Sequence, residues 1–507
     1  MIAKSKSFIP LGFTASTIEI EGDASHGLPS FNIVGMATKT VSEARERVRS
    51  ALRSSGFSFP AKKLTVNLAP ADLAKDGTYL DLAIAINILI LSGQLRQEDI
   101  DKSAFIGELS LDGALRPVRG IIGLAETASA AGTTNLFIPI KNFTQASLVK
   151  NINLIPVKNL RELYLHLKGQ SLITKSIPTV VKNTHTDNTS PSFSQIYGQD
   201  LAKRALTIAI AGRHNILLSG PPGTGKTILA KSALNLLPPL TDTEQISVTK
   251  LHSLAGLASG IVSSRPFRTP HHTSSLVALI GGGPKALPGE ISLAHTGILF
   301  LDELPEYPRS LLESLRQPLE DRQISISRAG RKVTYPSDFM LVATMNPCPC
   351  GYLGDPTHVC TCTPGQIDAY RKKLSGPLLD RIDLFVEVGR TDVSRLLSNT
   401  PVNDRSADVV KNTITEALLI QATRYKRPGI FNASLPSVRI VKDIPLSPNA
   451  KQFLNSAASS LDLSARSYFK VIKVARTIAD LDGSSEINNS HLAEALSFRE
   501  KPLKSAL

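Results

Sequence analysis

Residues 215–227 read NILLSGPPGTGKT, and residues 297–303 read GILFLDE. Each is a short apolar run of strand length that ends in groups suited to a nucleoside triphosphate. In the first, Gly220, Gly223 and Gly225 keep the loop free of Cβ atoms. The backbone N–H groups of Gly220, Gly223, Thr224 and Gly225, with Pro221 and Pro222 shaping the loop between them, are thereby able to close around phosphate oxygens. Lys226 follows at a helix start, where its ammonium and the helix N-terminus both favour the β- and γ-phosphates. Thr227 offers a hydroxyl to Mg²⁺. In the second run, Asp302 is placed to hold the Mg²⁺ shell and Glu303 to orient and polarise the attacking water. The number of constrained positions after an apolar strand sets this loop apart from a merely glycine-rich turn. A third apolar strand, in LVATMNP (341–347), ends on Asn346, with Pro347 breaking the chain behind it. A polar side chain at that strand end suits the phosphates of the same nucleotide; a turn or capping role is the alternative.

The chain of 507 residues has room for two or three domains, and its composition is that of a soluble globular protein, 42% hydrophobic and 20% charged. Of the net charge of +14, residues 1–168 carry +4 and residues 169–507 carry +10. A basic region of this kind points to an anionic polymer as partner, nucleic acid first, with a surface that is basic only for solubility as the equal alternative. The longest apolar run, Leu82–Leu91, is about half the length of a membrane span and contains Asn87. The N-terminal MIAKSKSFIPLGF lacks a long apolar stretch and a cleavage site, so the expected location is the cytoplasm, with no membrane contact.

All four cysteines fall in CPCGYLGDPTHVCTC: Cys348, Cys350, Cys360 and Cys362. In a reducing compartment two C-x-C pairs read as a thiolate cage for structural Zn²⁺, with His358 as a possible substitute ligand and free or redox thiols as the alternative. Between the Walker B run and Asn346 lie ISISR and KVTYP, joined by Ala329-Gly330, which predicts a β-hairpin. Its tip carries Arg328, Arg331 and Lys332, either phosphate-contacting groups or a solvated turn. Strand- and helix-like stretches alternate over residues 1–168, including a charged helix Ser42–Ser55 and an apolar helix Leu80–Leu91. Residues 169–192, rich in Ser, Thr, Asn and Pro, mark a linker, and the chain from about Ala407 is helix-rich.

The segments SQIYGQDLAKRAL, GPPGTGKT, FRTPHHTSS, GGGPKALPGEISLAHTGILFLDELPEY, NPCPCGYLGDP and GPLLDRIDLFVEV occur in this order. They resemble the ComM-type magnesium-chelatase-related proteins, hexameric AAA+ ATPases related to the MCM replicative helicases and associated with DNA branch migration in natural transformation. The resemblance implies an α/β architecture: an AAA+ core over 193–400 with a pore hairpin and the cysteine insertion at 348–362, then a helical lid over 401–507. It implies a motor that binds ATP and Mg²⁺, assembles as a homo-hexamer and acts on branched or single-stranded DNA. Ile196, Tyr197 and Gly198 match the loop that cradles adenine, and Arg381 the arginine that reaches a neighbouring subunit's γ-phosphate. The bland alternative for Arg381 is an ion pair with Asp380 or Asp383. Arg466 matches the second sensor arginine at the start of a lid helix, with Arg476 on the same helical segment. The hairpin matches a pore element that contacts DNA, and Gly256–Gly283, with RPFRTPHH, matches the helix-2 insertion of that clade.

Residues 1–168 resemble the proteolytic domain of Lon (a ribosomal protein S5 domain 2-like α/β fold), through KLTVNLAPADLAKDGTYLDLAIA and GELSLDGALRPVRGIIGLAETA. The position of the catalytic serine, two residues after Lys75-Asp76-Gly77, holds Tyr79, and that of the lysine, five beyond Pro117, holds Ile122. A Ser–Lys dyad needs a nucleophile beside an amine base, so peptidase activity is not expected. The reading that results is an ATP-driven DNA motor. Its rivals are a magnesium-chelatase-like motor for metal insertion and an ATP-switched DNA-binding scaffold.

Overall fold

A computed structural model of the chain describes residues 2–35, 39–73, 75, 77–174, 193–328, 331–390, 405–427 and 429–500. The N-terminal part opens with strand Ile2–Leu11, whose early residues alternate between exposed and buried, so that one face enters the core. It pairs antiparallel with Thr14–Ser25, which pairs antiparallel with Lys63–Ala69; Ser30–Val34 completes the sheet in parallel. The apolar run becomes helix Asp81–Leu91, buried along its whole length. Its one amide explains itself there: Asn87 Nδ2 donates to the carbonyls of Ala3 (3.1 Å) and Ile20 (2.9 Å), tying helix to sheet. The charged helix spans Lys39–Ser54, and a second, parallel sheet is formed by Ser103–Phe105, Asn135–Pro139 and Asn153–Val157. Helix Leu160–Leu167 ends this part; of the expected linker, residues 175–192 lie outside the described residues.

The ATPase part is a five-stranded sheet in the order Phe267–Arg268, Ile298–Leu301, Met340–Met345, Ile216–Ser219, Leu384–Glu387, every pair parallel. Parallel strands are covered on both faces, which is why these segments read as unbroken apolar runs. Ile216 and Leu218 face a core shared with the C-terminal helices, while Leu217, Leu299 and Leu341 face a second core shared with the hairpin. All five strands run the same way, so the P-loop, the Walker B acids and Asn346 emerge from one edge of the sheet. The Asn346 strand lies between the other two. The C-terminal helices include Arg405–Tyr425, Ser437–Asp443, Pro448–Ser460, Ala465–Leu481 and Asn489–Ser497. Among the described residues no helix is long and apolar enough to cross a membrane.

The hairpin consists of Gln323–Arg328 and Arg331–Pro336, in a register that sets Arg328 opposite Arg331 and Ser327 opposite Lys332. Its inner face, Ile324, Ile326, Val333 and Tyr335, is buried, and the Tyr335 hydroxyl donates to the carbonyl of Ala286 at 2.7 Å. Lys332 is exposed, whereas the turn Ala329-Gly330 and the side chains of Arg328 and Arg331 lie outside the described residues. The N-terminal part rests on helix Asp242–Ala255, which follows the glycine-loop helix. Lys250 pairs with Glu126 and lies 4.2 Å from the centroid of the Phe13 ring, and Ser253 Oγ donates to Gln145 at 2.8 Å. Gly12, at φ +61°, meets the hairpin so closely that a Cβ there falls 2.0 Å from Val333 Cγ1.

Candidate active site

The loop after Ile216–Ser219 needs its glycines for different reasons. A Cβ on Gly220 would fall 2.1 Å from the carbonyl oxygen of Val388, while Gly223 and Gly225 hold φ of +76° and +85° in open space. Thr224 Oγ1 closes the turn on the carbonyl of Pro221 (2.9 Å), and helix Lys226–Leu236 begins directly behind Gly225. Lys226 Nζ donates to the carbonyls of Gly220 (2.7 Å) and Pro221 (2.8 Å) and to Asn346 Oδ1 (3.3 Å). Burial lowers its pKa, against the opposing pull of Asp302 and Glu303. Its hydrogen-bond partners are all neutral, so its charge is left for an incoming anion.

Thr227 Oγ1 donates to Asp302 Oδ2 at 3.1 Å, bringing together the two groups assigned to Mg²⁺. Thr344 was not singled out from the sequence. Its hydroxyl donates to the other oxygen of Asp302 and accepts from the Glu303 N–H at 2.9 Å. Thr344 thus fixes both Walker B acids, leaving the exposed Glu303 on a left-handed backbone (φ +54°) at the strand end. The signal was present: a polar residue two positions before Asn346, inside a buried strand, shares its face. Tyr197 and Gly198 sit half-buried just before helix Asp200–Gly212, with Gly198 at φ +62°.

The four cysteine Sγ atoms lie within 4.8 Å of one another and form the one such cluster of metal-ligand groups among the described residues. Cys348 is 3.3 Å from Cys350 and 3.7 Å from Cys360, and Cys350 is 3.6 Å from Cys360. A tetrahedron of thiolates at about 2.3 Å from Zn²⁺ has edges of roughly 3.8 Å, so the cage fits that ion. Backbone N–H groups of Tyr352 and Thr361 hold the Cys350 thiol down at about 6. His358 is no fourth ligand; it stacks on Tyr352 (4.8 Å between centroids) and contacts Arg390 at 3.0 Å. The insertion abuts the nucleotide loop: a Cβ on Gly351 would fall 2.8 Å from Pro222 Cδ.

Arg381 and Arg466 come together, but away from this P-loop. Arg381 Nε donates to the Arg316 carbonyl (3.0 Å), Nη1 to the Pro377 carbonyl (2.6 Å) and Nη2 to Glu320. Its carboxylate partner is therefore Glu320 and not Asp380 or Asp383; Asp383 instead faces His214 at 3.3 Å. Arg466 Nη2 lies 4.0 Å from the same Glu320. Both arginines line a cavity of about 490 Å³ that includes none of the P-loop residues, Asp302, Glu303 or Asn346. Arg476, 3% exposed, is committed to Asp480 (Nε at 3.0 Å) and to the Ser485 carbonyl (2.9 Å), so of the two lid arginines Arg466 is the available one.

In RPFRTPHH, Arg265 forks onto Glu244 (3.0 and 2.8 Å) and Arg268 onto Glu290 (2.6 Å twice), so both are structural. The His271 and His272 rings lie 4.1 Å apart with their planes tilted by 33°, and Tyr307, just past Walker B, donates to the Pro270 carbonyl at 2.6 Å. In the N-terminal part, Tyr79 packs against two core clusters and Ile122 is fully buried. Lys75, also buried, donates to the Pro70 carbonyl.

Residues 192–396 match the family described as magnesium chelatase, subunit ChlI; residues 20–142 match subunit ChlI of Mg-chelatase, and residues 404–499 its C-terminal part. The competence protein ComM of Haemophilus influenzae is 45% identical over 495 residues, 96% of each chain. An uncharacterized protein, YifB, of Escherichia coli is 42% identical over 96% of this chain and 95% of its own. The magnesium-chelatase 67 kDa subunit of Heliobacterium mobile is 30% identical, over 32% of this chain and 28% of its own. With a parallel sheet that gathers Lys226, Thr227, Asp302 and Asn346 at one edge, the chain is an AAA+ ATPase and belongs to the ComM-type magnesium-chelatase-related family.

Proposed function

We propose that the protein is an ATP-driven DNA motor, working as a homo-hexameric ring that migrates branched DNA. The observation that carries this is that Arg381 and Arg466 meet on Glu320 and line a cavity to which the P-loop residues do not contribute. A phosphoryl-transfer site needs cations around the γ-phosphate, and these two guanidinium groups serve only if a second copy brings its nucleotide to them. In each site one chain supplies Lys226 and Asn346 to the phosphates and Glu303 to the attacking water. Thr227 and Asp302 hold Mg²⁺, which when bound neutralises charge on the β- and γ-oxygens. The neighbour supplies Arg381 and Arg466. The four thiolates hold a structural Zn²⁺ that leaves no coordination position open for chemistry.

DNA as the substrate is supported by the basic hairpin tip of Arg328, Arg331 and Lys332, by the excess of positive charge in residues 169–507, and by a 45% identical relative named as a competence protein. The test is ATP hydrolysis by the purified protein with and without a forked DNA, followed by migration of a labelled junction. Stimulation by DNA and ATP-dependent movement are expected. Hydrolysis that ignores DNA and responds to a porphyrin instead would move the protein to the chelatase branch of its family.

A further inference from the structure

Glu320 gives one carboxylate oxygen to each arginine: Oε2 accepts from Arg381 Nη2, and Oε1 lies 4.0 Å from Arg466 Nη2. It sits near the end of the short helix Arg316–Asp321, and Arg381 grips that helix at both ends, through the Arg316 carbonyl (3.0 Å) and through Glu320. Only Arg322 separates the helix from the first hairpin strand, Gln323–Arg328. Arg322 is left-handed (φ +54°); its N–H is bonded to the Pro318 carbonyl (3.0 Å) and its carbonyl to the N–H of Ser337 (2.9 Å), directly after the second strand. Helix end and both hairpin strands therefore form one hydrogen-bonded piece. The Glu320 side chain is 54% exposed, so it is rehydrated cheaply on release, whereas a phosphate offers a guanidinium a stronger, doubly charged partner.

We propose that Glu320 is a positioning residue that couples a neighbouring subunit's nucleotide to this subunit's hairpin. A γ-phosphate arriving at Arg381 and Arg466 displaces the carboxylate, and the helix bearing it is freed to shift together with the hairpin. The inference rests on the reading above, in which the arginines serve a neighbour's site and the hairpin holds DNA. Coupling is reciprocal, so the factor by which ATP changes DNA affinity equals the factor by which DNA changes ATP affinity.

The experiment measures both factors in the full-length protein, with forked DNA and a non-hydrolysable ATP analogue, in wild type, Glu320→Gln and Glu320→Asp. In Glu320→Gln, which removes the charge and keeps the size, both factors should fall to about one. Glu320→Asp keeps the charge but loses reach, and should give intermediate values. The melting temperature identifies a variant that fails to fold; Glu320→Asp then carries the test alone, a reduced factor supporting the role. A folded Glu320 variant that keeps the full wild-type factors overturns the coupling role while leaving the motor reading in place. Factors of one in the wild type itself sink the motor reading, and this inference with it.

Discussion

Lys226 and Arg381 are both cations with little exposure, yet Lys226 rests on two carbonyls and an amide while Arg381 rests on a carboxylate. The lysine's hydrogen bonds go to neutral oxygens, and Asp302 and Glu303 act on it from a distance, so a triphosphate entering the loop has no bound anion to displace. Arg381 must exchange one anion for another, and the gain is only the difference between phosphate and Glu320. With the Glu320 side chain half exposed, solvent screens the pair to about 1 kcal/mol or less, enough to park a side chain and too little to hold it against a well-placed phosphate. The first arrangement suits binding by a single chain. The second suits a group that acts only when a neighbour is correctly seated.

The contrast breaks most visibly at Arg381. Arg381→Ala should lower hydrolysis by roughly 10³-fold, the scale of a lost arginine finger, while ATP still binds. Mixing it with Lys226→Ala, which should lose nucleotide affinity itself, should restore part of the activity in mixed rings. No recovery in rings proven to be mixed by mass would show that the arginine acts within its own chain. Glu303→Gln comes next: turnover should fall about 10²-fold or more with ATP affinity retained, since only water activation is removed. Equal turnover in the variant and the wild type rules out Glu303 as the activating group.

Replacing Arg328, Arg331 and Lys332 together by Ala should flatten the salt dependence of DNA binding by about two to three in log–log slope, and junction migration should fall further than binding. A triple variant that migrates junctions at the wild-type rate excludes the hairpin as the gripping element. The smallest effect concerns zinc. Metal analysis should find about one Zn²⁺ per chain, removed by Cys348→Ser with Cys350→Ser, at a cost of about 2 kcal/mol or more to the insertion. Because Gly351 abuts Pro222, ATP turnover should drop severalfold with the metal gone. Protein purified without chelator and found metal-free ends the zinc assignment.

The nucleotide half of this comparison was readable in advance because its chemistry is local. A glycine loop, a lysine at a helix start and acids at a strand end carry their geometry with them, and the sheet order merely brings them to one edge. The apolar run Leu82–Leu91 was likewise readable as helix, and its Asn87 found backbone acceptors on two strands. Thr344 was missed although its face was predictable, because nothing in the chain announces that an apolar strand needs a hydroxyl to brace two acids. Glu320 could not be read at all: its partners lie 61 and 146 positions along the chain, and only the packing within the core and of the lid against it brings them together. For the same reason the ion pairs of Arg265 and Arg268 were not legible, since each is held by a carboxylate about twenty positions away.

Gly12 and Val333 make the N-terminal part something other than a passenger. The first turn of the chain is wedged against the strand that leads away from the basic tip, with no room for even a methyl group. A hairpin that strokes by more than about an ångström must either carry that turn along or shear it off. In the proposed motor the N-terminal sheet is then tethered to the hairpin, and the contacts that hold that sheet limit how far a stroke can run.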